Sequence, residues 1–468
     1  MKNPMLRSVL IAGAFCALAL ASRAQVVQFN ASLTAAQETT ASTSTATGSA
    51  ILLYDVNANT FDLIVTLNDF ANTITNSHIH EGAVGVAGPV VTGLGSETIY
   101  SRSGNTLTAV IRGVTHLGTK LTLLENGAYY NIHSAQFPGG EIRGQLIAQP
   151  KRLVASMTVA QEQAAFPAVN LTGANLSDFG AAVMSYNPGT GRISLRVSVF
   201  NFRNVLNNSH FHEGPPAVSG GVVVGLGNNA NAGGYNTTNG FIDGSFDIPY
   251  VGAGTVFADP IKLLTGGAYL NFHSNVFPNG EVRGQVRASD EVPSSRVINL
   301  STRGNVGTGS NVLIGGFSVL GPDPIRVLIS AKGPSLAAFG VTGVLADPLL
   351  QLFDSGGRQI AVNDNIGTVS ATSDLASIPG APSNAAESAL LVVLPPGNYT
   401  AVVSGVGGTT GVALLEATDL RIIGPSVTAA QFIASLPKNA TPAQRKAALQ
   451  RALELCSGLP LAVTAVKP

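Results

Sequence analysis

Apolar and polar residues alternate with period two over much of the chain. Phe61, Leu63, Val65 and Leu67 are separated by mostly polar or solvent-compatible neighbours, and Ile193, Leu195, Val197 and Val199 are interleaved with Arg192, Ser194, Arg196 and Ser198. Such alternation is that of a strand with one buried and one wet face. Turn formers such as Asn57-Ala58-Asn59 and Asn187-Pro188-Gly189-Thr190-Gly191 lie between these runs. Further along, Arg326 to Ile329 predicts a strand. Leu349 to Phe353 with Arg358 to Val362, and Ala389 to Leu394 with Tyr399 to Val403, predict two hairpins, the second turning at Pro395-Pro396-Gly397-Asn398. Only the end of the chain has a helical pattern. Thr441-Pro442-Ala443-Gln444 supplies a cap, a proline at the first helical position and a glutamine three residues after the cap, and Gly458 can end the helix. The expected class is all-β with one short C-terminal helix.

The chain also repeats itself. Ser32 to Glu38 matches Ser156 to Glu162, Asn76-Ser77-His78 matches Asn208-Ser209-His210, and Gly127-Ala128-Tyr129 matches Gly267-Ala268-Tyr269. The spacing between partners grows from 124 to 132 to 140, so the second copy carries two added stretches of eight residues. Phe166 to Asp178 and Asn228 to Gly240 are the expected places, both read as loops where added length costs little. Several short strands in each copy predict a β-sandwich or small barrel.

The first 24 residues read as a secretory signal: Lys2 and Arg7, a short apolar run from Val9 to Leu20, and a small residue, Ala24, before Gln25. No later segment is apolar and long enough to cross a bilayer as a helix, so no transmembrane segment is expected in the mature chain. The expected location is extracellular, periplasmic or cell-surface. Beyond the signal only Cys456 remains, which excludes an intramolecular disulfide. Net charge is zero and charged residues make up 11% of the chain, which gives no electrostatic case for nucleic acid.

Six of the seven histidines fall in the repeat: His78, His80 and His133 in the first copy, His210, His212 and His273 in the second. In His-x-His on a strand both imidazoles point to one side, leaving Ile79 and Phe211 to face the other. Each third histidine comes from a distant segment that also reads as a strand. Three imidazoles meeting from two strands suit copper or zinc, with a position left for water or another ligand. The competing reading is a set of hydrogen-bonded structural histidines in an adhesive or matrix module. That all three positions recur between divergent neighbours supports the metal. His116 has no matching histidine in the second copy and reads as a surface residue. Glu141-x-Arg143 and Glu281-x-Arg283 suggest ion pairs, with Glu81 or Glu213 as further partners. No Gly-x-Ser-x-Gly motif or histidine-flanked cysteine marks a nucleophile. Asn363-Asp364-Asn365 lacks regular calcium-loop spacing and reads as an Asx turn.

These motifs resemble a known module. His-x-His-Glu-Gly, then Gly-Pro-Val-Val or Gly-Val-Val-Val, then Asn-x-His-Ser-x-x-Phe-Pro-x-Gly-Glu-x-Arg-Gly-Gln is similar to the CHRD domain, named from chordin and found in secreted bacterial proteins. The resemblance covers about residues 30–148 and 155–288 and implies an immunoglobulin-like sandwich. A weaker similarity, to copper/zinc superoxide dismutase, implies copper ligation by His78, His80 and His133 and by His210, His212 and His273. The chain departs from that family in having no bridging histidine, zinc-loop cluster or cysteine pair. Residues 296–420 resemble β-rich units common near the C-termini of secreted bacterial proteins; the Leu394-to-Tyr399 stretch is similar to pre-peptidase C-terminal domains. The expected organisation is therefore signal 1–24, sandwich 25–150, sandwich 151–290, a third β-sandwich 296–422 and a tail 423–468. The expected role is binding rather than catalysis. A metal ion (copper before zinc) is the first partner, and an extracellular protein or polysaccharide the second. A dismutase-like metalloenzyme is the remaining alternative.

Overall fold

A computed structural model describes residues 25–420 except 168–170, 172–176, 228–234, 251–257, 290–298, 367–374, 376–377 and 379. The expected signal segment, the C-terminal helix and most of the linker after Ser289 lie outside the described residues. Every named strand pairing is antiparallel, so the all-β expectation holds.

The first copy comprises β1 (Val26–Thr34), β2 (Thr47–Asp55), β3 (Thr60–Asn68), β4 (Ile74–Glu81), β5 (Val90–Gly93), β6 (Ser101–Ser103), β7 (Thr106–Thr115), β8 (Ala128–Ser134), β9 (Ile142–Gln145) and β10 (Ile147–Ala148). They form one path, β5-β4-β8-β9-β1-β2-β3-β7-β6, with β10 also on β1. Between β9 and β1 the ladder is a single pair, Thr34 with Arg143. The sheet turns there into two layers, and alternate residues of each layer supply the core, including Leu63, Val65, Leu67, Ile79, Tyr130 and Ile132, all fully buried. Burial of such side chains is worth roughly 1.5–3 kcal/mol apiece.

The second copy repeats this path with β11 (Lys151–Thr158), β12 (Phe179–Asn187), β13 (Arg192–Phe200), β14 (Leu206–Glu213), β15 (Gly221–Gly225), β16 (Tyr235–Thr238), β17 (Phe241–Pro249), β18 (Ala268–Ser274), β19 (Val282–Gln285) and β20 (Arg287–Ala288). The first added stretch falls between β11 and β12, as expected. The second is divided. Part precedes β16, and the rest follows β17, because the registers Thr60–Thr115 and Arg192–Pro249 align β7 with β17 before the copies diverge again. That alignment also places Tyr250 where the first copy has His116.

The third region has two four-stranded sheets. One is β21 (Asn299–Val306), β28 (Gly411–Asp419), β23 (Ile325–Lys332) and β26 (Ser388–Leu394); the other is β22 (Leu313–Val319), β27 (Gly397–Gly405), β24 (Pro348–Phe353) and β25 (Gln359–Asn363). The hairpin expected at 349–362 is present as β24–β25. The one expected across Pro395-Pro396 is not: β26 pairs with β23, and β27 pairs with β22 and β24. The turn carries the chain from one sheet to the other.

This third sandwich shares its core with the second copy. Phe200 at the end of β13 packs into the cluster built on Ile329, Leu350, Val392 and Leu415, while Val154, Ala181 and Val183 pack on Val393. The Val393 N–H donates to Ser198 Oγ at 2.9 Å, and Arg152 donates to the Pro324 carbonyl at 3.0 Å.

Candidate metal centres

The period-two argument is met in both copies. Ile79 and Phe211 are fully buried, so His78 and His80, and likewise His210 and His212, project from the opposite face of β4 and β14. On β8 the same face carries Tyr129, Asn131 and His133, because register pairs them with His80, His78 and Asn76. On β18 it carries Tyr269, Asn271 and His273, opposite His212, His210 and Asn208.

The three rings meet in each copy. Their centroids lie 5.5, 5.0 and 6.1 Å apart in the first copy, and 5.4, 5.0 and 5.8 Å apart in the second. In each set one nitrogen per ring lies within 4.8 Å of the other two. Two independently diverged segments have thus retained nearly the same triangle.

Backbone carbonyls fix the tautomers. His80 Nδ1 lies 3.0 Å from the Gly88 oxygen and His133 Nδ1 lies 3.0 Å from the Pro138 oxygen. His212 and His273 make the same contacts with Gly220 and Pro278. A carbonyl only accepts, so each Nδ1 holds the hydrogen and each Nε2 presents a lone pair. In the first copy His78 Nδ1, His80 Nε2 and His133 Nε2 are buried and have no hydrogen-bond partner. In the second copy His210 Nδ1 lies 3.2 Å from His273 Nε2. There His273 Nε2 accepts, so the hydrogen sits on His210 Nδ1. A carbonyl held against Nδ1 is also the usual support of a metal-ligating imidazole.

Five of the six imidazoles are pushed toward the neutral form. Burial, then the His133 and His80 rings, push His78 down to about 4. His210 is lowered to about 4 by burial, His273 and His212; His212 falls to about 4 through burial, then His273 and Arg283, against the Gly220 hydrogen bond. His80 and His273 are lowered as well, chiefly by burial. Neutral imidazole is the form that ligates a metal.

Behind the histidines lies a supporting stack. Tyr129 lies flat on His80, 4.7 Å between centroids and 10° between planes, and the Arg143 guanidinium sits 3.4 Å over the Tyr129 ring. Tyr269 and Arg283 do the same for His212, at 4.8 Å, 6° and 3.4 Å. The Tyr129 hydroxyl accepts from the Gly88 N–H at 3.1 Å, so it also holds the carbonyl that orients His80. The second copy has the matching bond from the Gly220 N–H to Tyr269 at 3.0 Å.

The expected ion pairs are different from those found. Glu141 accepts from Ser44 Oγ and Asn72 Nδ2, and Glu281 accepts from Asn204 Nδ2. Neither pairs with the arginine two residues on: Glu141 and Glu281 lie just outside β9 and β19, so the same-face rule does not bind them. Glu81 instead caps the Thr119 N–H, and Glu213 pairs with Lys262 at 2.9 Å. The carboxylates whose charge acts on Arg143 and Arg283 are Glu38 and Glu162. Burial pushes each of them up to about 7 despite the arginine. Their Gln-Glu dipeptides stand in the repeat, but the arginines lie more than a hundred residues further on, so sequence spacing gave no link. His116 is buried, 2% exposed, against Tyr54 and Phe61 rather than on the surface.

The CHRD domain family matches residues 29–146 and 153–286. No curated protein matches the chain. Among solved structures, the pre-peptidase C-terminal domain of a Bacillus anthracis collagenase aligns at 14% identity and a TM-score of 0.18, covering 26% of this chain and 90% of that one.

Proposed function

The chain belongs to the CHRD family, in two tandem copies, and we propose that each copy is a metal-binding module with a three-histidine centre. The ligands are His78, His80 and His133 in one and His210, His212 and His273 in the other. The observation that carries this reading is the convergence of ring nitrogens. In the first copy three buried ring nitrogens face one another without a partner. A buried acceptor left unpaired costs roughly 1–3 kcal/mol, and a metal ion removes that cost for all three at once.

Copper is the preferred ion and zinc the second. Imidazole nitrogens suit both, and three protein ligands leave a position for exchange. The proposed role is binding, in a chain acting outside the cytoplasm after loss of residues 1–24. Support for that placement is the basic start followed by a short apolar run; no helix among the described residues is long and apolar enough to cross a membrane.

Titration of the purified chain with Cu(II) and with Zn(II), read by elemental analysis, tests the proposal. Two ions per chain are expected, one after His133→Ala or His273→Ala, and none after both. If wild type retains no more metal than the double variant, the histidines are structural.

A further inference from the structure

One side chain in each copy faces the centre without a role in it. Asn131 and Asn271 lie on the histidine face, across the ladder from His78 and His210 and two residues before His133 and His273. Both are buried, 4% and 1% exposed, and in both Oδ1 has no hydrogen-bond partner. The second copy shows how the amide is turned. Asn271 Nδ2 and Glu162 Oε1 crowd the same point beside Gly280, and the helix that carries Glu162 (Val159–Ala165) packs on β19. The sheet order is β14-β18-β19, so Glu162 approaches from the side away from His210. With Nδ2 committed to that side, Oδ1 points back toward the histidines. An achiral backbone holds the arrangement in place: Gly280, at φ 131°, leaves room that a Cβ would take, 2.3 Å from Glu162 Oε1 and 2.6 Å from Asn271 Nδ2. Gly140, at φ 126°, has the same relation to Glu38.

The opposite flank of each centre is open. Gly93 pairs with His78 and Gly225 with His210 on the edge strands β5 and β15, and a Cβ at either glycine would meet nothing within 4 Å. A small molecule can therefore reach the centre from the edge and find an unpaired acceptor on the far side.

We propose that Asn131 and Asn271 accept a hydrogen bond from the exchangeable ligand of each centre, so that the centre selects ligands carrying a hydrogen on the metal-bound atom, such as water, alcohols or primary amines, over acceptor-only anions. This rests on the metal-binding reading above. An amide whose Nδ2 lies on the Glu162 side cannot offer its N–H instead without turning Oδ1 against that carboxyl, which is what makes the preference one-sided.

The test uses the full chain loaded with Cu(II), titrated at one pH with methylamine and separately with azide, and followed by electronic absorption. In Asn131→Leu/Asn271→Leu the preference for methylamine over azide should fall about five- to tenfold, the worth of one buried neutral hydrogen bond, with two copper ions still bound. Asn131→Asp/Asn271→Asp keeps an oxygen acceptor and should retain methylamine affinity; it also serves if the leucine pair fails to hold copper. Two coppers bound with an unchanged ratio in the leucine pair, or lost methylamine affinity in the aspartate pair, overturns this inference alone. No copper in wild type overturns the metal reading and this inference with it.

Discussion

Replacing Glu162 with Gln should make the chain relatively more stable as pH rises. Glu162 is 1% exposed, and burial outweighs the attraction of Arg283, so its carboxyl stands at about 7 rather than 4.5. At about 1.36 kcal/mol per pH unit, that difference is worth about 3 kcal/mol. The sign follows from proton binding. A carboxyl whose folded pKa is raised holds its proton more tightly in the native state. Its contribution is fully present below pH 4.5 and is lost as pH climbs through 7. Gln has the same shape, keeps a donor and an acceptor and does not titrate, so it has no such loss. Arg283 keeps the Val218 and Pro215 carbonyls, at 3.0 Å each, and the Tyr269 ring in the variant. Calorimetric unfolding of wild type and Glu162→Gln, both with chelator, between pH 4.5 and 8.5 measures the difference at each pH. The histidine contributions are common to both chains and cancel. Wild type should lose about 3 kcal/mol relative to the variant across that range. A difference that stays constant, or moves in favour of wild type because the Arg283 pair dominates, would refute the reasoning.

Two further substitutions test the packing around this framework. Ser198→Ala removes the acceptor for the buried Val393 N–H, and should cost about 1–3 kcal/mol in thermal or denaturant unfolding; an unchanged midpoint would mean that this bond does not tie the second copy to the third sandwich. Gly280→Ala places a methyl where Glu162 and Asn271 meet, at a φ of 131° that side chains avoid. It should destabilise the chain by about 1–3 kcal/mol and lower copper content at the second centre in elemental analysis, while the same substitution at Gly225, where a Cβ meets nothing, should leave the copper count at two.

The histidine clusters were legible because their logic is short in range. A His-x-His pair needs only the strand period, and recurrence of the pattern in the second copy pointed to the third histidine. The layers around them were less so. Arg143 looked toward Glu141 because the two are close in sequence, whereas its carboxylate neighbour Glu38 reaches it from the segment just after β1, on the neighbouring strand. Asn131 stood in the Asn-x-His-Ser motif without a stated role; its position two residues before His133 was the available signal. At Pro395-Pro396 the turn and both strands were read correctly and their pairing was not. Burial of every residue of β26, with Leu391 packed on one side and Val392 on the other, was a sign of a strand covered on both faces. His116 illustrates a similar limit: a polar residue in a loop looks exposed until Tyr54 and Phe61 close over it.

The central claim, that three imidazoles in each copy hold one metal ion, is tested most directly by X-ray absorption at the copper edge on the full chain loaded to saturation. The account predicts two coppers per chain, each with three nitrogen scatterers at about 2.0 Å showing the outer-shell pattern of imidazole, and one copper of unchanged spectrum after His273→Ala. Copper bound with fewer than three imidazoles, or a spectrum and copper count that His133→Ala and His273→Ala leave unaltered, would contradict it.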